Sequence, residues 1–401
     1  MFFSVLSIIF IKVRINVKWE QHKLGGVAKI IGGGTPNTKI PAYWNGTINW
    51  YTPVEIGKKI YINESQRKIT LDGLKHSSAK LLPKNSVLFT SRAGIGKMAI
   101  LGEEATTNQG FQSIIPIAKE LDSYFLFSLS NQLKYYGETH GAGSTFTEIS
   151  GKELAKFKLI LPKLNEQKII SKLIMMMDKL ISLQQRKLNQ LKRLKRAMLQ
   201  QLFVDKNCKQ PILRFKNFND NWEERKLSDI ANYRNGKAHE QYIDMNGIYT
   251  VVNSKFISTN GKVKKFSNKP IELLKKGEIA FVLSDVPNGK ALAKAYLIDS
   301  DNRYSLNQRI AGITPSSDIN SYFLYILMNR NRYFLKFDDG VGQTNLSKKD
   351  IEEFKENYPL FDEQQKIANL FSKIQILITL QQNKLTQLTT LKKYLLQKLF
   401  I

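Results

Sequence analysis

Cysteine is almost absent from this 401-residue chain. Cys208 is the only one, so no internal disulfide can form. Histidine is sparse too: His22, His76, His140 and His239 are scattered, and with one cysteine they make no zinc cluster. No metal site is expected, and the setting expected is reducing and cytoplasmic. Acidic residues are few, 34 Asp+Glu against 61 Lys+Arg, which leaves a formal charge of +27. Such an excess destabilises a compact state by self-repulsion unless a polyanion relieves it. Nucleic acid is the leading partner, and an anionic membrane surface is second. The apolar start, Met1–Ile11, is followed by Lys12 and Arg14. It is too short to span a bilayer, and it lacks the charge order and cleavage site of a signal peptide. It reads as a buried strand or an irregular start.

Catalytic signatures are missing as well. An adenine methyltransferase needs an Asn/Asp-Pro-Pro-aromatic motif, and the chain has no Pro-Pro dipeptide. Gly32-Gly33-Gly34-Thr35-Pro36 is glycine-rich, but no helix start follows it and Pro36 argues for a turn. Glu353-Phe354-Lys355 follows Asp350 as in a metal-dependent nuclease, yet on a helix-like segment where a strand is required. Ser91–Met98 resembles a P-loop, but Ser91 stands where Gly is needed and Met98 where Ser or Thr is needed. No Ser/His/Asp or Cys/His set is suggested. The expectation is a binder with no catalytic residues and no metal.

What is present is a repeat. Leu161-Pro162-Lys163-Leu164-Asn165-Glu166-Gln167 is echoed 197 residues later by Tyr358-Pro359-Leu360-Phe361-Asp362-Glu363-Gln364. That offset holds without a gap to the end. Upstream the match continues with gaps: Trp19-Glu20 with Trp222-Glu223, Leu81–Phe89 with Leu273–Phe281, Asn108-Gln109 with Asn307-Gln308, and Gly141–Thr145 with Gly340–Thr344. Between these anchors the halves diverge, as expected of one scaffold carrying different loops. Each copy begins with about 140 residues of mixed α/β, with strands at Ile48–Tyr51 and Ser86–Thr90 and helices at Ser123–Tyr136 and Ser321–Phe334. A long helix follows, about Asn165–Val204 and Asp362–Ile401, with Asn165 and Asp362 as N-caps and Pro162 and Pro359 outside as breakers. The domains read as an irregular segment 1–17, recognition domain 18–157, helix region 158–210, recognition domain 211–354 and helix region 355–401.

The helices share an apolar stripe: Ile170, Leu173, Met177, Leu180, Leu183, Leu188, Leu191, Leu194, Met198 and Leu202, answered by Ile367, Leu370, Ile374, Leu377, Leu380, Leu385, Leu388, Leu391, Leu395 and Leu399. Its mean step is that of a helical seam with a phase slip in the middle. The expectation is a coiled coil with Leu173, Leu180, Leu191, Leu370, Leu377 and Leu388 at the interface; packing on the chain's own domains is the alternative. Gly-rich loops with Arg, Lys, Ser, Thr, Asn and Gln suit DNA grooves. In copy one they supply Trp50, Tyr51, Thr52, Ser91, Arg92, Lys97, Gly143, Ser144 and Thr145. In copy two they supply Asn253, Ser254, Lys255, Ser284, Asp285, Asn288, Lys290, Gln343 and Thr344. Trp19, Trp222, Phe125 and Phe323 read as core.

On these residues the chain resembles the specificity subunit of type I restriction-modification enzymes. The two Leu/Tyr-Pro-x-x-Asn/Asp-Glu-Gln helix starts, the Trp-Glu…Lys-Leu start of each half, and Thr107-Asn108-Gln109-Gly110-Phe111 carry the likeness, which covers residues 18–401. The resemblance implies an α/β (α+β) fold with two target-recognition domains separated by two long antiparallel coiled-coil helices, an internal pseudo-twofold repeat. It implies that double-stranded DNA is read as a bipartite site. Two modification (methyltransferase) subunits and two restriction/translocase subunits are the implied partners, with no membrane. No cofactor is implied on this chain; S-adenosylmethionine, ATP and Mg are expected on the partner subunits, which methylate adenine and cleave. A non-enzymatic coiled-coil nucleic-acid-binding scaffold is the competing reading. The second half opens with Pro211–Phe218, a lead-in typical of the family, whereas an unrelated apolar stretch precedes Trp19.

Overall fold

The computed structural model describes residues 19–92, 94–143, 147–204 and 208–400. The apolar start and the candidate residues Ser144 and Thr145 lie outside them. The chain divides into two compact units: one runs to Gln185 and takes back Lys384 onward, the other is Arg186–Asn383. The division falls inside both long helices, so each unit holds a segment of each.

In the first unit Glu20–Lys23 pairs antiparallel with Lys158–Leu161, which closes the recognition part on itself. Between them lies a five-stranded sheet in the order Ala28–Gly32, Gln112–Pro116, Val87–Phe89, Met98–Leu101, Tyr61–Ile62, and a three-stranded sheet in the order Arg67–Ile69, Trp44–Tyr51, Thr106–Thr107. The second unit repeats the plan. Glu223–Lys226 pairs with Lys355–Tyr358, and two four-stranded sheets follow, with central strands Ile310–Pro315 and Ile279–Val282 in one and Tyr249–Val252 and Tyr304–Leu306 in the other. Their apolar residues, Val87, Phe89, Ile100 and Ile114 in one unit and Ile279, Phe281, Ala311 and Ile313 in the other, form the cores with the flanking helices. Trp222, Phe125 and Phe323 are buried. Trp19 is half-buried, 6.1 Å from the Phe125 ring.

The repeated motifs have a physical role in closing each unit. Gln167 Nε2 donates to the carbonyls of Glu120 (2.8 Å) and Pro162 (3.0 Å), and its Oε1 accepts from the Asp122 N–H. Gln364 makes the same clamp to Asp318, Pro359 and Asn320. Both amides are buried, so satisfying them fixes the start of each long helix against the chain that leads into the helix beginning at Ser123 or Ser321. Glu166 accepts from Trp19 Nε1 at 3.3 Å. Its counterpart Glu363 is buried and holds Arg214 of the lead-in through two bonds, 2.9 and 2.8 Å. The glycine-rich turn is explained by close approach. A Cβ on Gly33 would lie 1.8 Å from the Asn108 carbonyl oxygen, and one on Gly236 2.0 Å from that of Asn307.

Three helix expectations are corrected. Ser123–Tyr136 is two helices, Ser123–Ser128 and Ser130–His140, bent at Leu129. Ser321–Phe334 breaks after Met328, where Arg330 takes φ +60° and the Asn331 side chain caps a new helix, Arg332–Leu335. Asparagine side chains compete for the backbone in this way. The long helices, α1 (Leu164–Leu202) and α2 (Phe361–Leu399), begin one residue early, so Asn165 and Asp362 sit inside the first turn.

Within each unit the α1 and α2 segments run antiparallel. In the first unit Asp178 meets Lys392, while Trp19, bonded to Glu166, packs on Phe400. In the second, Lys195 Nζ donates to Gln375 Oε1 at 2.7 Å and the Phe203 ring lies 5.8 Å from Phe371. The seam differs from the leucine stripe. Leu183 and Leu380 are 60% and 59% exposed, Leu377 is 51% and Leu194 43%, whereas Gln184 and Gln381 are buried. The seam is read through the buried Ile170, Ile174, Met177, Gln184, Leu188 and Leu202, with the half-buried Ile181, Leu191, Lys195 and Met198 between them. They alternate steps of four and three without interruption, the heptad of a coiled coil. The expected phase slip arises from following apolar residues alone, because Gln184 and Lys195 occupy seam positions. Leu191 and Leu388 lie on the seam; Leu173, Leu180 and Leu370 are half-buried beside it.

Candidate nucleic-acid interface

Trp50 and Tyr51 do not face solvent. Trp50 is 3% exposed, its Nε1 donating to the Gly34 carbonyl at 2.8 Å, and Tyr51 is 1% exposed. Burial, then Glu55, pushes the Tyr51 phenol up to about 12. Both are core residues of the three-stranded sheet; alternation along Trp44–Tyr51 gives way to three consecutive buried positions at its end. Thr52 is at the rim, and its N–H and hydroxyl both donate to the Glu55 carboxylate at 2.8 Å.

Among the described residues, Ser91, Arg92 and the turn at Gly143 gather around Glu148. Ser91 is buried: its N–H donates to Gly110, its carbonyl accepts from Ile149, and its hydroxyl reaches Glu148 at 3.4 Å. Arg92 lies 3.9 Å from Glu148, half-exposed. Glu148 in turn pairs its backbone with Ala142, next to Gly143. Lys97 is exposed, its aliphatic chain lying over Gly57 and Gly94. Gly94 and Gly96 have φ of +102° and +89°, a left-handed turn that suits glycine and accounts for the P-loop-like spacing. A cleft of about 340 Å³ beside it is lined by Gly94, Lys97, Asn131, Lys134 and Glu138 among others.

The second unit builds the same arrangement with other side chains. Ser284–Asp285 pairs antiparallel with Thr344–Asn345. The buried Ser284 hydroxyl accepts from Gln343 Nε2 at 2.7 Å. Asp285 accepts from the N–H groups of Ala291 and Leu292 at 2.6 and 3.1 Å, folding the loop that carries Asn288 and Lys290. Asn288, at φ +54°, donates to the Gly340 carbonyl at 3.4 Å. Asp338 gathers the Thr344 hydroxyl and the Gly340 N–H. Ser284, Asp285 and Thr344 are therefore structural, while Asn288, Lys290 and Gln343 are exposed at the surface of the loop pair. Asn253 caps the separate short helix Ser254–Ser258, with Ser254 half-buried and Lys255 exposed. Among the described residues no group of three or more His, Cys, Asp or Glu is placed to hold a metal ion, and no helix is long and apolar enough to cross a membrane.

Two copies of one scaffold with different side chains on matching loops are the architecture of a sequence-reading protein. The family model of the type I restriction modification DNA specificity domain matches residues 16–193 and 219–390. The chain belongs to this family. It is similar to the type I restriction enzyme MjaIX specificity subunit of Methanocaldococcus jannaschii, 29% identical over 95% of this chain and 91% of that one. To the EcoR124I/EcoR124II specificity subunit of Escherichia coli it is 32% identical over 41% of this chain and 42% of that one. Its fold matches the crystal structure of a type I restriction-modification S subunit from M. genitalium with a TM-score of 0.65 at 18% identity, covering 97% of both chains. The chain is thus a DNA specificity subunit, a recognition component that assembles with other subunits of a type I restriction-modification system and is not itself catalytic.

Sequence reading missed the organising acids of this specificity subunit, Glu148 and Asp338, because an isolated carboxylate in a loop carries no pattern. It also missed Arg67. Its guanidinium carbon lies 3.8 Å above the Trp44 ring centroid and 5.4 Å from that of Trp50, a cation–π stack worth about 0.5–2 kcal/mol.

Proposed function

We propose that this specificity subunit reads a bipartite DNA site, each unit contacting one half. The reading directs adenine methylation and cleavage by partner subunits. The observation that carries it is the matched pair of loop clusters, Ser91, Arg92 and Gly94–Lys97 with Gly141–Gly143 and Thr147–Ile149, and Ser284–Ala291 with Asp338–Asn345, equivalent in the repeat and different in exposed chemistry. Two modification subunits and two restriction/translocase subunits would complete the complex. S-adenosylmethionine, ATP and Mg would bind on those partners. The complex would work in the cytoplasm on double-stranded DNA, away from membranes. The charge of +27 supports a polyanionic partner.

The test is a domain exchange. The complex is expressed with its modification subunits, and methylated adenines are mapped by sequencing. Replacing residues 18–157 with those of another family member is expected to change one half-site and leave the other intact. Methylation of all sequences alike by the original complex would overturn the reading. Equal affinity for heparin, RNA and random DNA would instead favour a basic coiled-coil scaffold.

A further inference from the structure

Arg67 and Trp50 face each other on neighbouring strands. Trp44 and Trp50 meet edge to face, with centroids 5.0 Å apart, and both are buried at 8% and 3% exposure. Their indoles are tied down, Trp44 Nε1 to the Asn37 carbonyl at 3.2 Å and Trp50 Nε1 to that of Gly34 at 2.8 Å. The platform is therefore rigid, and the guanidinium lying on it is held in one place.

The fork of Arg67 has no acceptor among the described residues. The acids nearest in sequence are engaged elsewhere: Glu64 with Lys68 at 3.2 Å, Asp72 with His76 at 3.1 Å, and Glu55 with Thr52 and the Gln66 N–H. Arg67 itself is exposed. A guanidinium carries five N–H donors and no acceptor, and an exposed one offers them to water or to a ligand. This one keeps its donors for something outside the chain, and Glu55 joins its strand to the rim residue Thr52.

The repeat separates scaffold from reader here. Trp50 pairs with Thr106 in the first unit, and the equivalent pairing in the second is Val251 with Ser305. Across from Val251 stands Lys265, whose carbonyl accepts the Val251 N–H. The platform and the planar fork thus belong to one copy alone. A structural need of the shared scaffold would appear in both.

We infer that Arg67 is a sequence-reading residue of the first unit, its fork preorganised on the Trp44–Trp50 platform to meet the O6 and N7 edge of a guanine. This deepens the bipartite reading above and rests on it. A fixed, planar pair of donors suits bidentate recognition of guanine, which a mobile ammonium cannot reproduce. A phosphate contact would need the charge but not the fixed plane.

The test uses the full chain assembled with its modification subunits, with R67K and R67A beside the original. Near-ultraviolet circular dichroism of the tryptophans checks that the platform survives. R67K keeps the charge and loses the fork. It is expected to lose about ten-fold or more of the discrimination at one G·C position of one half-site, with the other half-site and the salt dependence unchanged. R67A is expected to relax the same position. The inference is overturned if R67K reads DNA as the original does, including the case in which R67A weakens all sequences equally and lowers the salt slope by about one, the mark of a phosphate contact. It is also overturned if both half-sites change. An original complex without sequence preference would instead sink the bipartite reading itself.

Discussion

Where a buried charged residue of this subunit is held by several partners, its chemistry sets where stability is sensitive. Glu278 is the clearest case. It is 3% exposed and accepts from both arms of the Arg234 fork, from the Thr314 hydroxyl at 2.6 Å and from the Lys275 N–H at 2.7 Å. Burial alone would push its carboxyl up; the bonds from Arg234, Thr314 and Lys275 outweigh burial and hold it below the usual glutamate range. A carboxylate depressed in the folded state contributes stability above its unfolded pKa of about 4.3, and loses it as pH falls through the folded value. E278Q is expected to cost about 3 kcal/mol at neutral pH. That is the lower end for breaking a buried pair, because Arg234 keeps Glu272 and access to water. Denaturant melts of both proteins should show the gap narrowing below pH 4; a constant gap would assign the loss to packing.

At the scale of elements, the repeat produces a coiled coil whose polar pairs on and beside the seam are not equivalent. Asp178 and Gln375 occupy matching places in α1 and α2, as do Lys195 and Lys392. One pairing is an ion pair, extended by the Tyr124 hydroxyl, which donates to Asp178 at 2.8 Å. The other leaves the Lys195 ammonium, lowered in pKa by burial, on a neutral amide. Charged residues in a seam fix register at some cost in stability. Q375E supplies the missing carboxylate. It is expected to stabilise the second unit by about 1 kcal/mol at pH 7, with the gain disappearing below about pH 4 as the carboxylate takes up its proton. Urea unfolding at the two pH values measures both, and no gain at pH 7 would show that Lys195 is already content with the amide.

For the whole molecule the governing quantity is charge. With a net +27, affinity for DNA should fall steeply with salt, because each neutralised phosphate releases counterions. A footprint of six to ten phosphates predicts roughly a thousand-fold loss or more between 50 and 200 mM salt. Fluorescence anisotropy of the assembled complex on a duplex carrying its site measures the slope. A nearly flat dependence would mean that the positive charge is spent on protein partners.

The sequence by itself determined the two-copy plan, the long helices and the family. Each of these is written in local pattern: a gapless 197-residue offset, an uninterrupted helical run, and motifs whose glutamines must be satisfied when buried. It also marked the strand-end loops, since glycine and polar residues at repeated anchors identify turns. Only the tertiary structure decided which side chains in those loops face outward. Trp50 and Tyr51 are core, while Ser91, Ser284, Asp285 and Thr344 are consumed in holding their loops together. The seam followed the same rule. Burial depends on which face meets the neighbouring helix, so Gln184 lies inside and Leu183 outside. Arg67 carries no motif at all; its role depends on two indoles brought beneath it by strand pairing, a contact that no local pattern encodes.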